Sequence, residues 1–478
     1  MKTTWALLIT LGMGCPGGLF AEEAVSEPGA DKPNIIFILA DDLGYGEVGC
    51  YGQEKIKTAG LDRMAAEGLR FTDHYSGYAT CTMSRKALMT GRHVGHLPHG
   101  TTIPGLTVGH MLQRAGYRTA MIGKWGMTGH PGHPDSPHVN GFDHVFTYHD
   151  QGQAHFYYIE FLWRNLEKVH YPMNKNLFDK EWFIKDDHKG VYSHDEFTKE
   201  ALGFITENKD RPFFLYLPYT IPHAELTVPE DSLQEYAQLG WPETAKEVGG
   251  GGSRNPGYGS QYIKGYCGVK NPNATYAAMV TRMDRDIGRI LDLLDTLDLS
   301  ENTLVVFGSD NGASDEGGQS MEFLKSSGAL RDGKRSIYEG GTRTPFIVRW
   351  TGAIQPGQVT DHMSNFCDFM ATACELAGVE APSHIDSVSY LPTLLGKPEK
   401  QKKKPCIYYS WRGHAVRVGD WKLILKGHSV ELYNLADDIG ETNNLADKMP
   451  DKVAELAASL VAASPTAKKH WGKRPVKH

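Results

Sequence analysis

The chain has 478 residues, 40% hydrophobic and 22% charged, so it can bury a sizeable core and falls outside the disordered, collagen-like and coiled-coil classes. Length alone predicts roughly three domain-sized units, and 7 widely spaced cysteines exclude a small disulfide scaffold. Lys and Arg number 50 against 57 Asp and Glu, a net charge of −7, too weak and of the wrong sign for a generic nucleic-acid binder; an anionic ligand must be held by local cations.

Lys2 precedes an apolar run, Trp5 to Leu11, and Ala21 stands before Glu22-Glu23, which reads as a signal peptide over residues 1–21 and predicts a secreted or periplasmic protein. Cys15 follows Gly-Met-Gly, a poor lipoprotein site, and no later run approaches the roughly 20 apolar residues of a transmembrane segment. Asn34 to Ala40 is continuously apolar after its first residue, as in a strand buried on both faces, and ends at Asp41-Asp42. Leu61, Met64, Ala65 and Leu69 follow at helical spacing, as do Val108, Met111, Leu112 and Ala115. A strand from Thr119 to Ile122 delivers Lys124; a helix from Asp195 to Ile205 is broken by Pro212, and a strand from Phe213 to Leu217 points toward His223. Gly249 to Ser253 reads as a flexible loop.

Tyr276, Met279, Val280, Met283, Ile287, Ile290, Leu291 and Leu294 mark the clearest amphipathic helix, and a strand from Leu304 to Phe307 runs into Ser309-Asp310-Asn311-Gly312. Cys367 and Cys374 lie on one helical pattern with Met363, Phe366 and Met370, about 10 Å apart along it, and read as core packing rather than a disulfide. Lys397 to Pro405 is basic, proline-bounded and read as a solvated connection. Beyond it, strand-like pieces around Ile407, Val416 and Leu423 and a helix from Val453 to Ala462 suit a small antiparallel sheet with one packed helix. The strand–helix alternation predicts an α/β fold, a mostly parallel sheet covered on both faces, with ligands beyond the carboxyl ends of its strands. The expected division is a catalytic domain over residues 32–396 and a C-terminal subdomain over 405–470.

Asp41-Asp42 and Asp310-Asn311 each suit a turn or helix cap taken alone. Both pairs end predicted parallel strands, however, and carboxylate and amide oxygens gathered at one sheet edge suit calcium, with magnesium as the alternative. Cys81-Thr82-Met83-Ser84-Arg85 opens a short helix pattern that Gly91 stops. The positive helix end and the Arg85 guanidinium, one turn on, favour an anion beside Cys81.

These residues resemble the formylglycine-dependent sulfatases of the alkaline phosphatase superfamily. Pro33 to Gly44 is similar to that family's opening strand and metal pair, and Cys81 to Arg85, with Leu88, Thr90 and Gly91, to its modification signature. Gly123-Lys124-Trp125, Pro222-His223, Ser309 to Gly312 and Gly333-Lys334, followed by Tyr338 to Pro345, continue the family's blocks in order, and the likeness runs from about residue 33 to about 465. It implies an α/β/α sandwich and hydrolysis of sulfate esters, on a sulfated saccharide or an aryl sulfate. It implies that a formylglycine-generating or anaerobic sulfatase-maturating enzyme converts Cys81 to formylglycine, whose hydrate carries a second hydroxyl that a serine lacks. It further implies that Asp41, Asp42, Asp310 and Asn311, with residue 81, bind calcium. Arg85 would stabilise the hydrate, Lys124 and Lys334 would hold sulfate oxygens, and His223 would protonate the leaving oxygen.

Two positions depart from the pattern. Met83 stands where the family usually has proline, sometimes alanine, and Gly126 where many relatives carry histidine, which makes His155 the candidate substitute. Ten of the 21 histidines fall between His93 and His155. A zinc site from His93, His96 and His99 ranks below the hard-oxygen site, since no thiolate or carboxylate block accompanies it; several imidazoles, with Trp163 and Tyr157, would instead line a substrate pocket. Asn273-Ala274-Thr275 matches a glycosylation acceptor. Two other readings keep the fold: a phosphodiesterase or phosphonate monoester hydrolase, and a sulfoglycan-binding pseudoenzyme with Cys81 unmodified.

Overall fold

Alternate residues of the first strand supply two different cores. Ile36, Ile38 and Ala40 face one, and Ile35, Phe37 and Leu39 the other, so a sheet runs through the middle of the molecule with both faces dry. The computed structural model describes residues 32–98, 102–127, 129–148, 150–175, 177–185, 190–247, 249–254 and 263–472. The signal-peptide, Cys15 and His99 readings lie outside these. Among the described residues, no helix is long and apolar enough to cross a membrane.

The sheet contains β1 (Asn34–Ala40), β2 (Leu69–Phe71), β3 (Arg118–Gly123), β4 (His144–Thr147), β5 (Phe161–Arg164), β6 (Glu167–His170), β7 (Phe213–Pro218), β8 (Thr303–Ser309), β9 (Phe346–Arg349) and β10 (Gln358–Thr360). Their order is β10-β2-β9-β8-β1-β7-β3-β4-β5-β6. The central run β8-β1-β7-β3-β4 is parallel, and antiparallel pairings join β9, β2, β5 and β6 to it on either side. The mostly parallel sheet predicted from the alternation is therefore present.

Helices cover both faces. α1 (Ala59–Ala66), α4 (Ser193–Glu207) and α5 (Pro272–Thr296) lie on one side; α2 (Cys81–Thr90), α3 (Val108–Arg114) and α6 (Asp368–Ala377) on the other. The stripe Tyr276, Met279, Met283, Ile287, Ile290 and Leu294 of α5 is fully buried, as its spacing predicts. Each such side chain contributes roughly 1.5–3 kcal/mol of burial.

Four antiparallel strands, β11 (Ile407–Ser410), β12 (His414–Val418), β13 (Trp421–Lys426) and β14 (Ser429–Asn434), form a second sheet in chain order. Leu456 and Leu460 of α7 (Pro450–Ala463) pack on one face with Val416, Leu423 and Leu432. The other face meets Tyr75, Ile337 and Tyr338. A further short helix, Pro465–Trp471, follows α7, so two helices stand where one was expected.

The structure corrects four readings. Gly249–Arg254 is a strand paired antiparallel with Ile263–Tyr266; its hydrogen bonds come from the strand that follows it in the chain, which glycine content cannot disclose. The solvated connection contains one buried cation, Lys404, whose Nζ lies 2.6 Å from Asp368. Asn273 is buried at the start of α5, donating to the Pro242 carbonyl at 2.6 Å and accepting from the Ser320 N–H at 2.7 Å, a setting closed to glycosylation. Tyr157 is wholly buried, its hydroxyl donating to the carbonyls of Thr220 and His223, so it braces the His223 loop rather than lining a pocket. As expected, Cys367 and Cys374 are free and buried.

Candidate active site

Parallel pairing sets Ala40 opposite Ser309, so the turns after β1 and β8 lie side by side. Ser309 ties them together: its hydroxyl accepts from the Leu43 N–H at 3.0 Å and donates to the Asn311 carbonyl at 2.9 Å. Asp42 turns with a left-handed backbone, φ 70°, a conformation that Asp tolerates better than most residues. Gly312 is required by close approach, because a Cβ there would sit 1.7 Å from the Gly340 carbonyl oxygen.

Asp41, Asp42, Asp310 and Asn311 are thereby buried together. Asn311 Nδ2 donates to Asp42 Oδ1 at 2.8 Å, while Asp41 Oδ1 and Asn311 Oδ1 are buried without a hydrogen-bond partner. Buried oxygens of this kind are costly unless something fills them. A donor set of carboxylate and amide oxygens fits a hard divalent cation.

Three cations border this cluster. Arg85, fully buried, donates to Asp310 Oδ2 at 2.8 Å, to Asp41 Oδ2 at 3.0 Å and to the Lys124 carbonyl at 2.5 Å, joining the ends of β1, β8 and β3. Lys124 Nζ lies 2.5 Å from Asp41 Oδ2, and Lys334 Nζ lies 2.6 Å from Asp42 Oδ2. Burial works against the charge of Asp41, but Lys124 and Arg85 hold its carboxyl well below the usual range. Burial and the neighbouring Asp41 charge push Asp310 the other way.

α2 begins at Cys81 and ends at Gly91 in the left-handed conformation, as its sequence predicts. Potential ligand atoms of Cys81, Asp41 and Asp310 lie within 4.8 Å of one another. Burial raises the Cys81 pKa despite Lys124 nearby, with Asp41 and Asp310 adding to the rise. Burial thus works against the thiolate that a cysteine nucleophile requires.

His223 Nε2 accepts from Lys334 Nζ at 3.1 Å, and its Nδ1 faces the Ala224 carbonyl. Burial lowers its pKa, with Asp42 opposing and Lys334 assisting; the hydrogen bonds assign the Nδ1–H tautomer, with the Nε2 lone pair turned to Lys334. His155 stacks on His223, ring centroids 4.2 Å apart. At Gly126 the backbone has φ 76°, and a Cβ would meet Arg85 Cδ at 2.4 Å. Arg85 occupies the space that a histidine at 126 would need.

The residues singled out in the sequence, Asp41, Asp42, Cys81, Arg85, Lys124, His155, His223, Asp310, Asn311 and Lys334, therefore share one site. Three others join it unannounced. Glu316 accepts from Lys334 at 2.8 Å and pairs with Arg335 at 2.5 Å, and Gln151 Nε2 lies 3.5 Å from Cys81 Sγ. Both Glu316 and Gln151 sit in loops a few residues beyond a strand end, the only local signal they carry.

His93 and His96 lie at the opposite end of α2. The carboxylate that their sequence neighbourhood lacks comes from Asp386, 2.8 Å from His96 Nδ1 and 3.7 Å from His93 Nε2. His93 Nδ1 accepts from the Gly95 N–H at 3.1 Å, which leaves the proton of the neutral ring on Nε2, the atom a metal would need bare. This cluster is a hydrogen-bonded pin.

Residues 33–379 match the Sulfatase family, and residues 331–464 match the N-sulphoglucosamine sulphohydrolase C-terminal family. An N-acetylgalactosamine-6-O-sulfatase of Bacteroides thetaiotaomicron is 28% identical, over 90% of this chain and 93% of its own. Human arylsulfatase A is 30% identical, over 94% of this chain and 90% of its own. A solved structure from Bacteroides thetaiotaomicron, described under the metabolism of multiple glycosaminoglycans, superposes with a TM-score of 0.72 at 26% identity, covering 91% of this chain and 99% of that one. With the match spanning most of the chain and the site in place, the protein belongs to the sulfatase family.

Proposed function

We propose that this sulfatase removes sulfate from a sulfated saccharide, with Cys81 converted to formylglycine and calcium held by Asp41, Asp42, Asp310 and Asn311. The observation that carries the reading is the pair of buried, partnerless oxygens, Asp41 Oδ1 and Asn311 Oδ1, at the cluster that Asp41 and Asp310 form with Cys81. When present, the formylglycine hydrate supplies a nucleophilic oxygen and the cation supplies the positive field that lowers the cost of ionising it. The chain's own residues do the rest. Arg85 holds Asp41 and Asp310 in register. Lys124 and Lys334, balanced in the free protein by Asp41, Asp42 and Glu316, are placed to receive sulfate oxygens once a divalent ion takes up the carboxylate charge. His223, enclosed between Lys334 and His155, presents a bare Nε2; it can protonate the leaving oxygen only after taking up a proton there, and the Lys334 ammonium 3.1 Å away is the adjacent donor.

Support for the saccharide comes from relatives whose names specify sulfated amino sugars. The domain division at residues 397–404 belongs to the same proposal, as does export. Intact-peptide mass spectrometry across residue 81, on protein from the native host, tests the reading together with sulfate release from aryl sulfates and sulfated sugars. The expected result is a formylglycine-bearing peptide and release from at least one sugar. Full turnover by protein retaining the cysteine would overturn the mechanism, and a modified protein that releases no sulfate would overturn the substrate class.

A further inference from the structure

Strand β5 alternates. Leu162 is buried in the core, while Phe161 and Trp163, two residues apart, share the opposite face. Across the hairpin Trp163 pairs with Lys168, whose Nζ lies 4.1 Å from the Phe161 ring centroid and 5.2 Å from that of Trp163. This face forms one wall of a cavity of about 670 Å³, completed by His130, Asp150 and Gln151. Gln151 links the cavity to the candidate active site: its Nε2 lies 3.5 Å from Cys81 Sγ, and its Oε1 is buried without a hydrogen-bond partner. The walls are braced. Asp150 Oδ1 accepts from the N–H groups of Gly152 and Gln153 at 2.7 and 2.9 Å, and Arg164 binds both oxygens of Glu200 at 2.9 and 2.6 Å.

A cavity that Gln151 joins to the reacting residue and that has an aromatic face for a wall suits a sugar. The ring faces of Phe161 and Trp163 match the C–H face of a pyranose, and Gln151 and Asp150 offer partners for hydroxyl groups. Lys168 is more than a neutral sugar needs. An ammonium resting on aromatic rings within a pocket is a ready partner for an anion.

We propose that this cavity is the saccharide subsite of the sulfatase, and that Lys168 selects sugars carrying a second anionic group besides the sulfate to be removed. The proposal rests on the saccharide reading above, and two separate measurements distinguish their failures. Affinity is measured by calorimetry on full-length protein carrying Cys81→Ala, with galactose, N-acetylgalactosamine and N-acetylglucosamine, each bearing one sulfate or two. Sulfate release is measured on the unsubstituted, formylglycine-bearing protein with the same panel.

The disulfated form of at least one sugar is expected to bind roughly tenfold more tightly than its monosulfated form. Lys168→Gln should erase that advantage, Lys168→Arg restore it, and added salt shrink it; Trp163→Ala should weaken both forms alike. Equal binding of the two forms, or an advantage that survives Lys168→Gln, overturns the subsite. Sulfate release without any Lys168-dependent preference would leave the sulfatase reading standing and the subsite refuted. A Lys168-dependent preference without release would do the reverse.

Discussion

Two of the groups of buried charged side chains differ in a telling way. One group, Asp41, Asp42 and Asp310 with Arg85, Lys124 and Lys334, lies at the carboxyl edge of the large sheet. The other lies beneath the C-terminal sheet: Asp73, Glu339 and Glu441 with Arg343, Arg417 and Lys422. In the second group every carboxylate oxygen has an ion-pair or hydrogen-bond partner, Glu441 Oε1 through its ion pair with Lys422 alone. Lys422 Nζ is 2.9 Å from Glu339 and 2.6 Å from Glu441, Arg417 and Arg343 take the two oxygens of Asp73 at 2.5 and 3.0 Å, and Tyr75 and Tyr409 donate to Glu339. The remaining Glu441 oxygen accepts from the Glu339 N–H at 2.6 Å. In the first group Asp41 Oδ1 and Asn311 Oδ1 have none. Burying charge is expensive in both, but a completed network clamps one sheet to the other, whereas an incomplete one keeps coordination free for a ligand.

That difference can be broken by substitution. Cys81→Ala should eliminate sulfate release outright while leaving the thermal midpoint near that of the unsubstituted protein, since the thiol's hydrogen bond from Gln151 Nε2, at 3.5 Å, is long and weak. Lys124→Ala should lower kcat/KM on the order of 10²–10³. Unchanged kinetics would mean that its contact with Asp41 is structural, as in the second group. Lys422→Met should act oppositely, taking the shared ammonium from Glu339 and Glu441 and destabilising the fold by about 3–5 kcal/mol in urea denaturation, with kcat of the folded fraction retained. A loss of kcat matching the loss in Lys124→Ala would show that the two groups are not separate devices.

Adding calcium sharpens the same contrast. At a concentration about 100 times its dissociation constant, an ion that binds only the folded state adds about 2.7 kcal/mol. The thermal midpoint should therefore rise with calcium and fall with chelator, and Asp310→Asn should diminish the response. An equal response in Asp310→Asn would place the ion elsewhere.

The site was legible where a functional residue directly follows a strand or opens a helix. Asp41, Lys124 and Asp310 each lie at most a residue beyond β1, β3 and β8, so parallel pairing brings them together without further information. Glu316, Gln151 and Arg335 were not legible, because their loops are positioned by contacts with other parts of the chain. The same cause explains the fold errors. The strand at Gly249–Arg254 exists through its partner, and β14 has only two buried residues in six, too few to signal a strand. Lys404 sat in a charge run that gave no hint of Asp368.

A third, half-exposed arrangement falls between the two buried groups and gives the smallest expected effect. Glu200 of α4 binds Arg164 of β5 through both oxygens and lies 2.9 Å from His144, bracing the hairpin that carries Trp163. Burial opposes its charge, yet His144 and Arg164 hold its pKa at about 2, below the ordinary 4.5. A carboxylate depressed in the folded state contributes stability that is present above the unfolded pKa and is lost as pH falls from 4.5 through about 2. Arg164 is 45% exposed, so solvent screening limits the contribution to about 1 kcal/mol. Glu200→Gln should therefore lower stability by that amount at pH 7, and urea midpoints should converge with those of the unsubstituted protein as the pH is taken toward 3. A gap that stays constant down to pH 3 would assign Glu200 to packing instead of charge, and the hairpin would then be held by its pairing with β4 and the core contact of Leu162.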